Sequence, residues 1–318
     1  MVSRDTEVAR PSPFSSNGQA VGKVGEARLI QKVRDILGTV SPPSPEGIGD
    51  DCAVLTPPET GKLLLTTDPV VYGKHFAPAD PPGKVGAKLL KRNLSDIAAM
   101  GGQPGPALLA LAMGEDLQME WLAAFLAGLA GACQEYGVHL VGGDITSAAE
   151  GTFIATLTQT GTATRPVARQ GADIGSPIYV TGSLGGSLQG KHLDFVPRLG
   201  EGQFLASLDN LRSMTDLSDG MAKDLPGLLP PGSSASMDVG ILPLHPAAHS
   251  PEAAFCDGED YELLFTLEPG TLLREWPFET PCTKIGQVVQ GREGATLFDS
   301  ISGAPLDFNK PGYEHFQG

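Results

Sequence analysis

The sequence predicts a mixed α/β protein (α/β or α+β in class) built from two domains. The chain has 318 residues, enough for two hydrophobic cores, and helical and strand-like patterns alternate in both halves. Its 41 glycines and 27 prolines suit many tight turns. We place the first domain at residues 25–163 and the second at residues 164–318. Residues 1–24 are polar without apolar periodicity, so they are predicted to form a disordered extension.

The first domain is predicted to begin with a helix at about 25–38, which Gly38 ends. Strands follow at about 52–56 and 62–71. A second helix, at about 84–100, carries an apolar stripe and ends at a pair of glycines. The remaining elements are a strand, a helix and two strands, at about 106–112, 118–136, 138–143 and 151–163.

The second domain shows the same alternation. A strand at 177–182 leads into the glycine-rich segment LGGSLQG, and a short helix at about 201–208 precedes a strand at 212–216. Ser218 is a favourable N-cap residue, so a helix is predicted to begin there. Four further strands are predicted, at about 235–240, 261–267, 282–290 and 294–298.

Composition excludes several classes of protein. The chain carries 22 Lys+Arg against 37 Asp+Glu, a formal net charge of -15, which argues against a nucleic-acid binder and against docking on anionic lipid. Apolar stretches are too short to span a bilayer, and the N-terminus lacks the apolar core of a signal peptide. The four cysteines form no CxxC pair. These features predict a cytoplasmic protein with reduced thiols.

The most informative feature is a set of acidic residues beside glycine, serine or threonine at the ends of apolar runs. They are Asp50 and Asp51 in GIGDDCAVL, Asp68 in LLLTTDPV, Asp96 in NLSDIAAMGG, Asp144 in HLVGGDIT, Asp216 and Asp219 in TDLSDG, and Asp257, Glu259 and Asp260 in DGEDYELLF. In open α/β sheets, ligands bind at the carboxyl ends of strands. We therefore expect a convergent acidic pocket. Such a pocket repels itself unless cations occupy it, and its hard oxygen ligands suit magnesium or calcium, with magnesium usually bridging to substrate phosphates.

Each motif taken alone has a simpler interpretation. TDLSDG taken alone is more typical of helix capping than of a binding site, and GIGDD is typical of a β-turn. His75 is as well explained as an ordinary surface or core histidine, and Tyr313 as a packed aromatic residue that anchors the C-terminus. The chain has neither the GxxxxGK[ST] phosphate loop nor GxGxxG after a first strand. Any nucleotide is therefore expected to be held mainly through metal ions.

Taken together, the motifs resemble those of the thiamine-monophosphate kinase family, whose superfamily includes aminoimidazole ribonucleotide synthetase and selenophosphate synthetase. The resemblance runs from about Gly25 to Phe316. It is carried by GIGDDCAVL, TTDPVVYGKHF, NLSDIAAMGGQP, LVGGDIT, RQGADIGSPIYVTG, DLSDGMAKDL, GEDYELLFT and GYEHF. It implies a two-domain fold like that of aminoimidazole ribonucleotide synthetase, with an N-terminal domain that binds ATP and magnesium and forms a homodimer, and a C-terminal α/β domain. The implied activity is ATP-dependent phosphorylation of thiamine monophosphate to thiamine diphosphate.

The resemblance also implies a role for each residue that matches a family motif. Residues of the magnesium sites would be Asp51, Thr66, Thr67, Asp68, Asp96, Asp144, Asp216 and Asp219. ATP would contact Gly143, Asp144, Arg169 and Ser218, and thiamine monophosphate would contact His75, Glu259 and Tyr313. No general base is expected, because the nucleophile is a phosphate oxygen that is already ionised at neutral pH. Several magnesium ions would neutralise both phosphate groups and hold them in line.

The chain departs from the family pattern in its second half. Between Gly190 and Lys191 it lacks a stretch that the family usually carries, residues 229–256 are also short, and Asp257 stands where the family has glycine. Two other functions remain as alternatives: a sister ATP-dependent synthetase that activates an amide or carboxyl oxygen, and a non-catalytic nucleotide-binding protein. The intact aspartates argue against the non-catalytic protein, and His75 with GEDYEL favours the kinase over the synthetase.

Overall fold

The computed structural model describes residues 12–14, 19–42, 56–308 and 312–313. It confirms the mixed α/β class, with two sheets among these residues. The chain divides into two compact units. The first contains the described residues within Met1–Pro57, Leu65–Asn93 and Pro104–Thr160, and the second those within Pro58–Leu64, Leu94–Gln103 and Gly161–Gly318. The boundary placed near residue 164 stays a prediction.

The N-terminal half forms a four-stranded sheet with three α-helices among the described residues. Its strands are β1 (Lys62–Val71), β2 (Gln103–Gly114), β3 (Leu140–Ala148) and β4 (Phe153–Ala163), in the order β1-β4-β2-β3. Its helices are α1 (Glu26–Leu37), α2 (Pro82–Ala99) and α3 (Met119–Tyr136). Strands β2 and β3 run parallel, as expected for two strands joined through a helix. The strand predicted at 52–56 falls almost wholly outside the described residues.

Glycines let α2 and α3 approach closely. A Cβ atom built on Gly86 would lie 2.0 Å from the carbonyl oxygen of Phe125, and one built on Gly128 would lie 2.0 Å from that of Gly83. Beside this crossing, the aromatic rings of Phe125, Trp121 and Phe153 pack with centroids 4.8–5.7 Å apart. Close backbone contact and stacked rings thus form the core of the first unit.

Residues 19–24 differ from the predicted disordered extension. Val21–Lys23 form a short 3-10 helix, and Val21 is buried. The backbone N–H of Val21 donates to Leu117, and that of Met119 donates to Gln19. Composition alone could not reveal this pairing, because main-chain hydrogen bonds place little demand on side-chain type. Apart from residues 12–14, the rest of the predicted extension lies outside the described residues.

The second unit is built on a six-stranded sheet, counted over the described residues. Its strands are β5 (Pro177–Thr181), β6 (Leu211–Asp216), β7 (Ser233–Met237), β8 (Leu263–Leu267), β9 (Cys282–Gln290) and β10 (Leu297–Asp299), in the order β10-β7-β9-β5-β8-β6. Neighbouring strands are antiparallel except for β10 and β7. Its helices are α4 (Lys191–Asp194), α5 (Leu199–Ser207), α6 (Met221–Asp224) and α7 (Pro251–Cys256).

Both faces of the six-stranded sheet are covered. Every residue of β5 and β8 is buried, which their near-continuous apolar sequences require. Ile178 and Leu264 belong to one cluster of buried apolar residues, whereas their strand neighbours Tyr179 and Phe265 belong to another. Over the described part of the chain, no helix combines the length and apolar character that crossing a bilayer requires.

The helix predicted to begin at Ser218 begins instead at Met221. The prediction was wrong because the Ser218 side chain does not cap this helix. The N-cap is Gly220, whose φ of 111° is unfavourable for residues with a Cβ atom. The remaining short helical turns are Gly38–Val40, Ser187–Gln189, Leu225–Leu228 and Val239–Ile241.

Gly128→Ala is expected to destabilise the protein by about 1–3 kcal/mol, because its methyl group would overlap the Gly83 backbone. Gly131→Ala is the matched control on the same helix. Nothing lies within 4 Å of its added Cβ, so it should gain about 0.5–1 kcal/mol from the better helix propensity of alanine. Denaturant unfolding of both variants checks this. A stabilised Gly128→Ala would contradict the close crossing of α2 and α3.

Candidate functional site

A single side chain organises the loop after β6. Strand β6 ends at Asp216, and one carboxylate oxygen of Asp224 then accepts the backbone N–H groups of Ser218, Asp219 and Gly220 at 3.0, 3.0 and 3.1 Å. Three successive peptide groups therefore converge on one acceptor. We call residues 216–220 the acidic loop. Its conformation is fixed by these bonds rather than by a helix cap at Ser218.

Asp224 was missed in the sequence analysis. Burial raises the pKa of its carboxyl to about 6, with a smaller contribution from Asp219, while the three N–H bonds act in the opposite direction. The carboxyl is thus ionised at neutral pH and accepts hydrogen bonds. The available signal was its position four residues after the N-cap Gly220, since an acid in the first helical turn can reach back to the preceding N–H groups.

Asp216 is buried at the end of β6 and accepts a hydrogen bond of 2.7 Å from the Ser95 hydroxyl. Ser95 and Asp96 are neighbours near the C-terminal end of α2, and Asp96 is half-buried. The Ser95–Asp216 bond therefore brings Ser95 and Asp96 of the NLSD motif together with TDLSDG within the second unit.

Two predicted substrate residues are tied to the acidic loop through the backbone. The N–H of Glu259 donates to the carbonyl of Ser218 at 2.7 Å, and the N–H of Tyr313 donates to that of Asp219 at 2.9 Å. Lys223 links the same elements, since its ammonium group contacts the Asp219 carboxylate at 2.7 Å and the Tyr313 carbonyl at 2.6 Å. The second unit thus gathers Glu259 and Tyr313 around residues 216–220.

The GED turn carries backbone strain. Glu259 and Tyr261 both have φ of 52°, a left-handed conformation that non-glycine residues rarely adopt. Each such residue costs about 1–3 kcal/mol and persists only when its surroundings fix it. Here the N–H of Tyr261 donates to the carbonyl of Leu217 at 2.8 Å, and its ring stacks on Phe195 with centroids 4.1 Å apart.

Asp257 and Asp260 serve a different purpose from the one predicted. Asp257 accepts the N–H of Gly186 at 2.7 Å, and Asp260 accepts that of Gly185 at 3.0 Å and the ammonium group of Lys191 at 2.9 Å. Both carboxylates therefore hold the glycine-rich turn after β5. Asp257, where the family has glycine, supplies one of these contacts. Sequence reasoning counted both acids in the pocket because it could not show which way they face.

A buried ion pair supports the same region. Arg198 binds both oxygens of Glu262, with Nε–Oε2 at 2.7 Å and Nη2–Oε1 at 2.8 Å, and Thr181 donates to Oε2 at 2.9 Å. Glu262 is buried, so its charge needs this paired and hydrogen-bonded environment. Sequence reasoning missed the pair, since 64 residues separate its members.

In the first unit, Asp68 lies within β1 rather than at its end. The strand continues to Val71, and Arg92 on α2 lies 3.4 Å from the Asp68 carboxylate while also donating to the Pro69 carbonyl. Thr67 donates to the Leu157 carbonyl at 3.1 Å, and Thr66 is half-buried. Arg92 therefore supplies a positive charge beside a predicted magnesium ligand.

His75 is oriented by the backbone that precedes it. Its Nδ1 accepts the N–H of Val71 at 3.0 Å, so the proton of the neutral ring belongs on Nε2. Its carbonyl accepts the fully buried ammonium group of Lys88 at 2.8 Å. These bonds fix both the ring and its tautomer.

Gly143 and Asp144 lie in β3. At Gly143 a Cβ atom would come within 1.7 Å of the Leu109 carbonyl oxygen, so no side chain fits there. Both residues border a cavity of about 170 Å³ in the first unit. Its walls are mainly apolar and come from α1, β2 and β3, including Val33, Leu37, Leu109, Leu111 and Leu140. Asp144 is exposed.

The predicted magnesium ligands are distributed between the units. Asp68 and Asp144 belong to the first, whereas Asp96, Asp216 and Asp219 belong to the second. Asp51, the remaining predicted aspartate ligand, lies outside the described residues, as does its neighbour Asp50. Within the described ranges, no three His, Cys, Asp or Glu side chains lie close enough together to hold a metal ion. Arg169, predicted to contact ATP, is exposed ahead of β5 in the second unit.

The chain is similar to thiamine-monophosphate kinases over most of its length. The family model "AIR synthase related protein, N-terminal domain" matches residues 49–163. Thiamine-monophosphate kinase of Escherichia coli (strain K12) is 35% identical over 327 residues, covering 92% of this chain and 98% of that protein. The enzyme of the same name from Rhodopirellula baltica is 35% identical over 268 residues, covering 78% and 84%.

Solved structures share the fold. Thiamine monophosphate kinase from Aquifex aeolicus aligns with a TM-score of 0.69 at 28% identity, over 87% of this chain and 97% of that one. AaThiL complexed with AMPPCP and TMP aligns with a TM-score of 0.71 at 28% identity, over 94% and 100%. The E. coli hydrogenase maturation protein HypE, with a TM-score of 0.71 at 19% identity over 90% and 97%, shows the fold alone.

Asp260→Asn is expected to reduce the pH dependence of stability. Burial, opposed by Lys191 and the Gly185 N–H, raises the pKa of Asp260 from 3.8 to about 6. Between these values the folded state binds a proton that the unfolded state has lost, so stability falls as pH rises. From about pH 4 to 7, the unmodified protein should lose up to about 3 kcal/mol relative to the variant. Denaturant unfolding at both pH values measures this.

Asp299→Asn is the control, because hydrogen bonds from Ser302 lower the pKa of this exposed carboxyl. The unmodified protein should not lose stability relative to this variant over the same range. An Asp260→Asn difference that stays constant with pH would contradict the raised pKa.

Proposed function

This chain belongs to the thiamine-monophosphate kinase family, and on that premise we propose that it transfers the γ-phosphoryl group of ATP to thiamine monophosphate, forming thiamine diphosphate. The observation that carries the proposal is identity of 35% with a named kinase over 98% of that kinase's length. The fold is consistent with it, since backbone hydrogen bonds bring Glu259 and Tyr313, two residues of the family motifs, to residues 216–220.

ATP is proposed to bind at Gly143, Asp144, Arg169 and Ser218. The cavity beside Gly143 has mainly apolar walls, as binding sites for planar rings usually do. The similar structure AaThiL is a complex with AMPPCP, a non-hydrolysable analogue of ATP, and with TMP. These observations support ATP as phosphoryl donor and thiamine monophosphate as acceptor.

Magnesium ions are proposed at the carboxylates of the family motifs. Magnesium usually takes only one or two protein carboxylates and completes its shell with water and substrate phosphates. The donor set fits this ion, because each unit offers hard oxygen ligands, and among the described residues they do not form a closed cage. The proposed residues are Asp51, Thr66, Thr67, Asp68, Asp96, Asp144, Asp216 and Asp219. When bound, the ions would neutralise the phosphates and align them for transfer.

The proposed acceptor contacts are His75, Glu259 and Tyr313. Glu259 suits the cationic part of thiamine. Tyr313 is 38% exposed, which leaves ring surface able to lie against a heterocycle. His75 Nε2 suits a phosphate oxygen, since its Nδ1 already accepts a backbone N–H. No residue needs to act as general base, because the attacking phosphate oxygen is ionised at neutral pH. Positioning and charge neutralisation then provide the rate.

Asp68→Asn and Asp219→Asn are each expected to lower turnover at least about 100-fold, because each removes a proposed magnesium ligand. Stability should fall by about 1 kcal/mol at most, because each change weakens only a partly exposed ion pair, with Arg92 or with Lys223. Asp238→Asn is the control: its carboxylate accepts a backbone N–H in a short 3-10 turn of the second unit. A coupled assay with ATP, magnesium and thiamine monophosphate measures turnover, and a chelator should abolish it.

Full turnover in both aspartate variants would rule out the metal assignment. The same assay decides between the proposal and its alternatives. A sister synthetase would consume ATP without making thiamine diphosphate and would require a different acceptor. A non-catalytic nucleotide-binding protein would bind ATP without consuming it.

The three described cysteines, Cys133, Cys256 and Cys282, are free thiols, which supports placing the reaction in the reducing cytoplasm.

A homodimer formed through the first domain is part of the proposal. Leu65 on β1 and Leu108 on β2 are 67% and 43% exposed, which leaves apolar side chains of the sheet in contact with water. Leu65→Glu is expected to convert a particle of about twice 33.1 kDa into one near 33.1 kDa. Light scattering at micromolar concentration measures this. Leu272→Glu, at a residue 60% exposed in the second unit, should leave the mass unchanged. A monomeric unmodified protein would contradict the proposal.

A further inference from the structure

Two side chains outside the predicted site contact the carboxylate of Glu259, one at each oxygen. The hydroxyl of Tyr261 donates to Oε1 at 3.2 Å, and Nδ1 of His192 lies 3.4 Å from Oε2. The two groups come from different parts of the chain. His192 lies on α4, whereas Tyr261 comes directly after the GED residues 258–260. The Glu259 side chain keeps 16% of its surface exposed, so it is held in place without being sealed off.

Packing immobilises both of these groups. The Tyr261 ring is buried and stacks on Phe195, which follows α4 in the chain. His192 is also buried. The left-handed backbone at Glu259 and Tyr261 places their side chains so that the hydroxyl meets the carboxylate, although they are only two residues apart. Strain retained in this form indicates that the orientation of the carboxylate matters.

We propose that Tyr261 and His192 are positioning residues that orient Glu259 toward the cationic part of thiamine monophosphate. This inference rests on the proposed function, because it requires Glu259 to meet the substrate. A carboxylate held by two ring groups loses less conformational freedom on binding than a free glutamate, so more of its attraction for a cation contributes to affinity. The short segment that carries α4 therefore takes part in substrate recognition.

A role confined to stabilising the turn predicts a different dependence on Glu259. Positioning acts only through the carboxylate, so its effect on substrate affinity must disappear when that charge is removed. A structural role lowers affinity through the shape of the turn, whether or not residue 259 is charged. A double-mutant cycle with Glu259→Gln separates the two.

Each change has a matched control. Tyr261→Phe removes the hydroxyl but keeps the ring. Its control is Tyr179→Phe, since Tyr179 is also buried and stacked on a phenylalanine. The Tyr179 hydroxyl, however, accepts the backbone N–H of Leu273. His192→Gln removes the group near Oε2, whereas His192→Asn keeps an amide near the position of Nδ1. His192→Asn should therefore restore what His192→Gln loses.

The dissociation constant for thiamine monophosphate, measured by calorimetry, is the main readout, with KM for ATP and Tm beside it. Tyr261→Phe and His192→Gln are each expected to weaken binding about five- to tenfold, while KM for ATP stays within about twofold. In the Glu259→Gln background the same changes should weaken binding less than about twofold. Tyr179→Phe should bind like the unmodified protein.

Equal losses in both backgrounds, or no loss in either, would overturn the positioning role. If Tyr261→Phe lowers Tm strongly, the positioning role is tested by the dissociation constants of His192→Gln and His192→Asn. Equally weak binding in these two variants would then overturn it. An unmodified protein that does not bind thiamine monophosphate would overturn the proposed function as well. Normal binding by the unmodified protein together with unaffected variants would overturn this inference alone.

Discussion

The three N–H groups that converge on Asp224 are the constraint on which the candidate site of the second unit depends. They fix residues 216–220, whose carbonyls then receive the N–H groups of Glu259 and Tyr313. Residues from three distant motifs thus share one backbone frame. A frame set by main-chain bonds holds its geometry better than contacts between long side chains, because fewer rotatable bonds lie between the groups.

The sequence predicted regular elements well where side-chain pattern alone determines them. Strands 62–71 and 282–290 have the predicted bounds, and the helices predicted at about 25–38 and 118–136 lie within a residue or so of those observed. The prediction failed where a distant contact or a local hydrogen bond decides. The helix after TDLSDG begins late because Asp224, rather than Ser218, accepts the exposed N–H groups. Residues 19–24 pair with the segment before α3 through backbone groups that every residue type shares.

For the site, the acidic residue types indicated phosphate and magnesium chemistry, but not which acids serve it. Asp257 and Asp260 share the surroundings of Glu259 in sequence, yet they bind the N–H groups of Gly186 and Gly185. A short motif cannot show whether a carboxylate faces backbone or solvent. For Asp257 and Asp260 this depends on the turn at Gly185 and Gly186, which lies 71–75 residues earlier in the chain. The combined motifs of the family, rather than composition, carried the function.

The acidic composition becomes physically consistent when buried and exposed carboxylates are compared. Glu262 and Asp260 are buried, and each has a basic partner: Arg198 for Glu262 and Lys191 for Asp260. Loss of either partner would leave a buried carboxylate with an uncompensated charge. Asp219 also has a lysine partner, but both side chains of that pair are more than a third exposed. Such a surface pair contributes about 0–1 kcal/mol, so a ligand can displace it at little cost. The chain thus neutralises the acids that build the fold and keeps Asp219 in an exposed pair, as its proposed role as a magnesium ligand requires.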